Sequence, residues 1–400
     1  MTDMKSINQK IFENIEKAWE ISWSLYYRED TNLFYDYVSD NDPACSQAHL
    51  PTPDEVKQQF PNLCGWGTGM EDSAISAGVW MATICDRFDS TSDETMKKYA
   101  DKVWEGMKLL MRVSKSSGFL PRSVCLADGI SHYINSSRDQ YTHYCHGIWR
   151  FYHSPLSDAG QRAGMRQIIT DICHRMETNV IPENDFSFCQ EDDRPGHGVN
   201  KMWENWGPHE WGRLPMIYAI GWDLTSDKHW RDMYQRYAWE AAYKSTSVPD
   251  NHPAYALQQA IFSFEPLIAI ESMDSELRMA WLQDMKLYAD AIQSYTKQCL
   301  EYTPVIITET DWRKWPTQDH GNGPCPTWPD GERIEDRTVR EPAESILSQL
   351  MVPDRPLPAD QIELFYHFLQ QTKYELSFMY GLFYHVAVYW RAVKCGVLCI

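Results

Sequence analysis

Residues 136–152 read SSRDQYTHYCHGIWRFY, and the fold turns on this stretch. Asp139, His143, His146 and Arg150 stand at i, i+4, i+7 and i+11, which places them in one stripe along one helix face. The other faces carry Tyr144, Ile148, Trp149, Phe151 and Tyr152. A solvated helix face usually shows Lys and Glu. A polar stripe enclosed by apolar faces suits a helix whose polar side looks into a wet central cavity. The competing reading is a buried network of mutually satisfied polar groups.

Outward from this stretch, apolar residues recur at helical spacing through most of the chain, and alternating strand-like runs are short and few. Start and stop signals place helices at roughly 5–25, 68–89, 92–116, 137–153, 157–179, 208–223, 227–244, 253–272, 275–298, 341–352, 359–374 and 376–394. Thr68 with Glu71, Thr91 with Glu94 and Ser137 with Gln140 have capping-box spacing, while Pro208, Pro253 and Pro342 suit a first helical turn. Long connections, 26–67, 117–136, 180–207 and 299–340, precede the second, fourth, sixth and tenth helices, and the remaining ones are shorter. Long and short connections in alternation are what helical hairpins set in a ring produce, with the long loops gathered at one end. Loops of that length in a compact domain are usually functional. No linker or low-complexity tract divides the chain, so residues 1–400 read as one all-α domain. An open helical solenoid is the alternative, although no fixed sequence period supports it.

Composition narrows the function. The 400 residues carry 56 acidic and 37 basic side chains, a formal charge of -19 without a basic tract, which excludes a nucleic-acid surface. No apolar run is long enough to span a membrane. The opening MTDMKSINQKIFENIEKAWE reads as an amphipathic helix rather than a leader. The expectation is a cytoplasmic protein as the chain is given, or a periplasmic one if a leader has been removed. Eleven cysteines without a repeated spacing suit buried thiols better than a disulfide framework or a zinc site. The 17 Trp and 22 Tyr exceed what a core requires, and such rings stack on the C–H faces of sugars as readily as they fill a core.

Two more segments concentrate polar and aromatic residues where even-numbered helices begin. In GWGTGMED, 65–72, glycines surround Trp66, and Glu71 and Asp72 follow. Glu71 has a capping role available to it and Asp72 has none, which favours Asp72 as a functional acid. In NKMWENWGPHEWGR, 200–213, Trp203, Trp206 and Trp211 interleave with Glu204, Asn205, His209 and Glu210, the composition of a sugar-binding wall. The His209–Glu210 pair lacks the second histidine of a helical zinc motif, so neither a metal nor a cofactor is expected. Arg122 in GFLPRS, Arg138 beside Asp139, and Glu341 in VREPAE are smaller contributors; a bidentate arginine would suit a sugar carboxylate. QEDDR at 190–194 reads as a solvated acidic loop. Phosphate-binding, dinucleotide-binding and nucleophile-elbow motifs are absent.

On these three segments and the run of helical hairpins, the chain resembles the (α/α)6-toroid carbohydrate-active enzymes, and within them the unsaturated glucuronyl hydrolases and related bacterial β-glucuronidases. The resemblance implies a pocket at the N-terminal ends of the inner helices, with the acids falling on Glu71 or Asp72 and on Asp139. The expectation is a glycoside hydrolase acting on a terminal uronic acid of an oligosaccharide or glycoside. Its catalytic candidates are Asp139, Asp72, Glu71, Glu210 and His209. Trp66, Arg122, Arg138, Tyr141, His143, His146, Trp203, Glu204, Asn205, Trp206 and Trp211 are the candidates for substrate contact. A polysaccharide lyase would use the same residues differently, with Tyr141, His143 or His209 as base, and a non-catalytic glycan-binding protein needs only the aromatic segments.

Overall fold

The computed structural model describes residues 2–36, 49–196, 198–204, 207–248, 252–305, 309, 311–327 and 331–398. Among them are twelve long helices: α1 (Thr2–Ile21), α2 (Ser73–Thr91), α3 (Met96–Val113), α4 (Arg138–His153), α5 (Ala159–Asn179), α6 (Arg213–Thr225), α7 (Lys228–Lys244), α8 (Ala254–Ile270), α9 (Glu276–Ile292), α10 (Glu341–Met351), α11 (Ala359–Gln371) and α12 (Met379–Lys394). Two antiparallel ribbons sit in the loops, β1 (Tyr27–Arg28) with β2 (Leu33–Phe34) and β3 (Thr317–Asp319) with β4 (Pro324–Pro326).

The even-numbered helices close a ring, α2 against α4, α4 against α6, and so on until α12 packs on α2 again. The odd-numbered helices lie outside it. Burial follows this division. Every residue from Ser73 to Asp86 of α2 and from Met379 to Ala392 of α12 is buried, whereas α3 buries Met96, Ala100, Val103, Trp104, Gly106, Met107, Leu109 and Leu110, mostly on one helical face. The result is an (α/α)6 toroid with its core between the two rings. The tightest crossing is that of α2 with α4. A Cβ at Gly78 would lie 2.1 Å from the carbonyl oxygen of His143, so only glycine permits the approach that sets the starts of these helices side by side.

Three expected capping boxes do not form. Asp72, not Thr68, precedes the first residue of α2, and Thr68 instead donates from Oγ1 to the carbonyl of Gly65 at 2.6 Å. The Ser137 side chain makes no cap bond, because Gln140 reaches across to α2, where its Oε1 accepts from the Ile75 N–H. Thr91 closes α2 by donating to the Arg87 carbonyl. Reciprocal boxes do occur at Thr52–Glu55 and Asp158–Gln161. Pro208 opens a separate turn, Pro208–Glu210, ahead of α6.

Candidate active site

The six inner helices begin at one end of the barrel, and each brings polar side chains there. Asp72 stands at the head of α2 without a cap bond of its own. Its Oδ1 accepts from Arg122 Nη2 at 2.7 Å and from Gln140 of α4, while Oδ2 accepts from the Tyr380 hydroxyl of α12. Arg122 is fixed in turn by donating from Nε to the Glu71 carbonyl at 2.7 Å. Beside it, two ion pairs lock the start of α4 to the approach to α6: Asp139 with Arg213, and Arg138 with Glu210. Arg138 also donates to the Gly198 carbonyl at 2.9 Å, and Arg213 to Gln259 Oε1 of α8 at 2.7 Å.

A cavity of about 330 Å³ opens over these pairs, lined by Arg138, Asp139, His209, Glu210, Arg213, His252, Tyr255 and Gln259 among others. Burial pushes the Asp139 carboxyl up, but Arg213 and then Arg138 outweigh it and hold it at about 2. His209 is pulled down to about 3, by burial first and then by Arg213, and burial lowers His252 as well. The two imidazole rings lie 4.2 Å apart, centroid to centroid, and are neutral at neutral pH. His209 Nδ1 is buried without a hydrogen-bond partner among the described residues.

On the far side of Tyr255 the Arg340 guanidinium sits over three phenol rings, 5.7 Å from Tyr255, 4.6 Å from Tyr380 and 5.8 Å from Tyr384. Its Nε donates to Glu344 at 2.8 Å, and Asp336 lies 3.8 Å from Nη1. Burial raises Glu344 to about 7 against the pull of Arg340. Burial also raises Asp336, and the negative charge of Asp72 adds to the rise against Arg340. The β3–β4 ribbon covers this sector. Asn62 donates to the Pro324 carbonyl at 3.0 Å, His320 meets the half-buried Trp66 edge-on, and Gly67, at φ +79°, lies so close to Pro326 that a Cβ would be 2.3 Å from its carbonyl.

Of the residues expected from sequence, Asp72, Glu71, Asp139, Glu210, His209, Arg122, Arg138 and Trp66 all stand at this end of the barrel. Glu71 lies in the loop, where its Oε2 accepts from the Gly67 N–H at 3.0 Å. Five others are placed elsewhere. The Tyr141 hydroxyl is sealed in the core, donating to the Gly118 carbonyl and accepting from the Leu120 N–H, both at 3.0 Å. His146 points down the barrel to Glu265, at 2.6 Å, far along the stripe from Asp139. Trp203 and Trp211 pack on each other at 4.7 Å and on Tyr237 and Lys244 of the outer helix α7. His143 is fully buried between its own helix, where Nδ1 meets the Asp139 carbonyl oxygen at 3.0 Å, and the Phe262 ring at 4.8 Å. Glu204 is exposed with φ +51°, and Asn205 and Trp206 lie outside the described residues. Arg213, His252, Tyr255, Gln259, Asp336, Arg340, Glu344, Tyr380 and Tyr384 were not singled out from sequence. The usable signals were the paired glutamines inside the apolar run AYALQQAIF and the charges of EDRTVREPAE.

The far end of the barrel carries the same residue types in a closed arrangement. Arg150, Arg391 and Lys394 surround Asp86 at 2.5, 3.4 and 2.8 Å, and Arg391 with His146 holds Glu265. The space enclosed between these charges is about 20 Å³, room for a single water. This floor makes the cavity blind. The lower half of the stripe on α4 is thus a buried polar network rather than a cavity wall, with His146 Nδ1 left without a hydrogen-bond partner among the described residues, and Arg150 belongs to it.

No family model and no curated protein matches the chain. Among solved structures it superposes on a sugar epimerase from a ruminal bacterium over 99% of both chains, with a TM-score of 0.54 at 10% identity. A reducing-end-xylose releasing exo-oligoxylanase follows at 0.42 and 12% identity, covering 98% of this chain and 94% of its own. An α-1,6-mannanase from Salegentibacter sp. HEL1_6 gives 0.38 at 13% identity, covering 70% and 87%. The fold is shared with the epimerase. At such identity the likeness extends to the toroid and no further. No helix among the described residues is long and apolar enough to cross a membrane, and no group of three metal-ligating side chains occurs among them.

Proposed function

We propose that the chain hydrolyses a glycosidic bond in the blind cavity at the N-terminal ends of the inner helices. One observation carries this reading. Two carboxylates at the starts of neighbouring inner helices, Asp72 and Asp139, are each clamped by an arginine, and Asp139 lines a small-ligand-sized cavity. Glycoside hydrolysis needs paired carboxyls, one to protonate the leaving oxygen and one to act on water or the sugar. With Asp139 held ionised by Arg213, its role is that of a charge or base rather than an acid. The closed floor favours attack on a terminal sugar over an internal one.

A terminal uronic acid is the substrate we favour. Its carboxylate requires a cation that can leave its present partner, and Arg138, at the cavity rim with both Glu210 and the Gly198 carbonyl as acceptors, is best placed to do so. Matched glucuronides and glucosides presented to the purified chain test both levels. Release of reducing sugar from glucuronides above glucosides is expected, with the preference lost in Arg138→Ala. Equal rates on both would remove the uronate while leaving hydrolysis. Binding without cleavage across the panel would favour a lectin-like role and overturn hydrolysis.

The neutral His209–His252 pair beside Asp139 favours a second reading, abstraction of a carbon-bound proton, as epimerisation or β-elimination requires. Solvent deuterium appearing in the recovered sugar, or an unsaturated product absorbing in the ultraviolet, without reducing-sugar release from intact glycosides, would replace the first reading with this one.

A further inference from the structure

The cavity at the mouth has three walls of unlike chemistry. The head of α4 supplies Arg138 and Asp139, and the turn before α6, with the first residue of that helix, supplies His209, Glu210 and Arg213. Among the described residues, every Lys, Arg, Asp and Glu that lines the cavity stands on these two walls. The third wall is the head of α8, which contributes Tyr255, Ala256 and Gln259 and no charge. Neither the acid pair nor the carboxylate contact at Arg138 involves it.

Tyr255 and Gln259 are four residues apart on α8 and share one face of it. Gln259 is 3% exposed, and its amide is held at one end only. Oε1 accepts from Arg213 Nη2 at 2.7 Å, whereas Nε2 has no hydrogen-bond partner among the described residues. Arg213 also donates from Nη1 to Asp139, so one guanidinium orients the amide and the carboxylate together. With its oxygen occupied, Gln259 has a donor to offer at the cavity wall. Tyr255 stands beside it, 41% exposed, with Arg340 on its far side at 5.7 Å. Among the described residues it is the one Phe, Tyr or Trp that lines the cavity. An open aromatic ring next to an amide donor offers a sugar an apolar surface for its C–H face and a partner for a hydroxyl oxygen.

We infer that the head of α8 is the sugar-recognition wall of the cavity. The Tyr255 ring stacks on the C–H face of the sugar bound beside Asp139, and Gln259 Nε2 donates to the oxygen of one of its hydroxyls. Because Arg213 holds Gln259 and Asp139 at once, the hydroxyl read by the amide sets the position of the sugar relative to the carboxylate. The assignment deepens the hydrolase reading and rests on the sugar in that cavity, not on the acid pair. A sugar lacking the hydroxyl leaves the Gln259 donor unpaired in a largely buried place, which is what makes such a contact discriminating.

The experiment takes whichever of the matched nitrophenyl glucuronide and glucoside turns over faster, together with its series of monodeoxy analogues. Wild type is expected to lose about 3- to 10-fold in kcat/KM on the analogue that lacks the hydroxyl read by Gln259. Gln259→Glu keeps an oxygen for Arg213 and removes the amide donor. It should bring the parent-to-analogue ratio for that hydroxyl to about one while the other ratios keep their wild-type values, a change of selectivity that a merely structural role would not produce. Tyr255→Ala should raise KM about 10-fold on the parent and on every analogue alike, and Tyr255→Phe, which keeps the ring, should recover most of that loss. Equal rates on all analogues in wild type, wild-type ratios in Gln259→Glu, or an unmoved KM in Tyr255→Ala overturns the wall while leaving hydrolysis in place. If the sugars bind without being cleaved, the same ratios read from dissociation constants decide the wall, and hydrolysis alone fails. A wild type that neither binds nor cleaves any of them overturns the sugar reading of the cavity, and the wall with it.

Discussion

The two ends of the barrel are built from the same residue types and do different things. At the floor, Asp86 and Glu265 are matched by Arg150, Arg391, Lys394 and His146, and only about 20 Å³ remains between them, although a cavity of about 730 Å³ opens on the other side of Arg391 and Lys394. At the mouth, Asp139 and Glu210 are matched by Arg213 and Arg138 as completely, yet about 330 Å³ stands open over the pairs. The difference lies in what occupies the helix starts. The floor ends of α2, α8, α10 and α12 bring Ala82, Phe262, Leu347, Met351 and Ala387 around the charges, which leaves room for no more than a single water between them. The mouth brings Gly198, Gly207 and loop backbone, which leaves volume. Charge pairing alone therefore does not mark a site.

The largest effect expected is at the floor. Asp86→Asn removes the anion shared by Arg150, Arg391 and Lys394, the two arginines largely buried, and should cost about 3–5 kcal/mol of stability. A urea midpoint far below wild type would establish it, and a midpoint within error of wild type would mean the floor is not a structural lock. The matching change at the mouth, Asp139→Asn, should invert the pattern, with turnover falling about 10²- to 10⁴-fold and a smaller shift in stability. A large stability loss with turnover intact would make the mouth a second lock and erase the distinction.

Acid sharpens the same contrast. Asp139, Asp86 and Glu265 all have folded-state values below their unfolded ones, so each contributes stability that is present above the unfolded value of about 4 and is lost as pH falls through the folded value. For Asp139 that window runs from about pH 4 to about 2. Asp139→Asn should flatten the decline of stability in this window, and Asp86→Asn should flatten it as well; an unchanged acid slope in both would contradict the ion pairs. The smallest effect is expected at Glu204, exposed on its turn, where Ala should change stability by no more than about 0.5 kcal/mol and leave turnover unaltered.

The architecture was readable because loop length reports geometry directly. Connections 117–136 and 180–207 are long for the same reason that Asp139 and His209 stand at one end, namely that they cross from the outer ring to the mouth of the inner one. Capping was misread at Thr68, Thr91 and Ser137, since the spacing fits a box whether or not the partner is needed elsewhere, and Gln140 is needed by Asp72. At the site, the acids at the heads of α2 and α4 were legible because few acids stand in apolar surroundings without a reason. Tyr380 and Gln259 were not, because a tyrosine or glutamine in an apolar helix looks the same whether it faces the barrel axis or a neighbouring helix. The reverse error fell on Trp203 and Trp211. Indoles beside carboxylates look like a sugar wall, but here they fill the gap to α7.

Tyr380 reaches Asp72 across 308 positions of sequence, and Asn62 holds Pro324 across 262. A ribosome emits the polypeptide from one end, so the head of α2 emerges with its carboxylate long before the phenol that orients it exists. The intervening hairpins can stack as they appear, but the ring shuts only when the twelfth helix slides in beside the second. Ring closure is in this sense the last thing the nascent polypeptide acquires, and an early-terminated product, however helical, has an open seam beside the second helix.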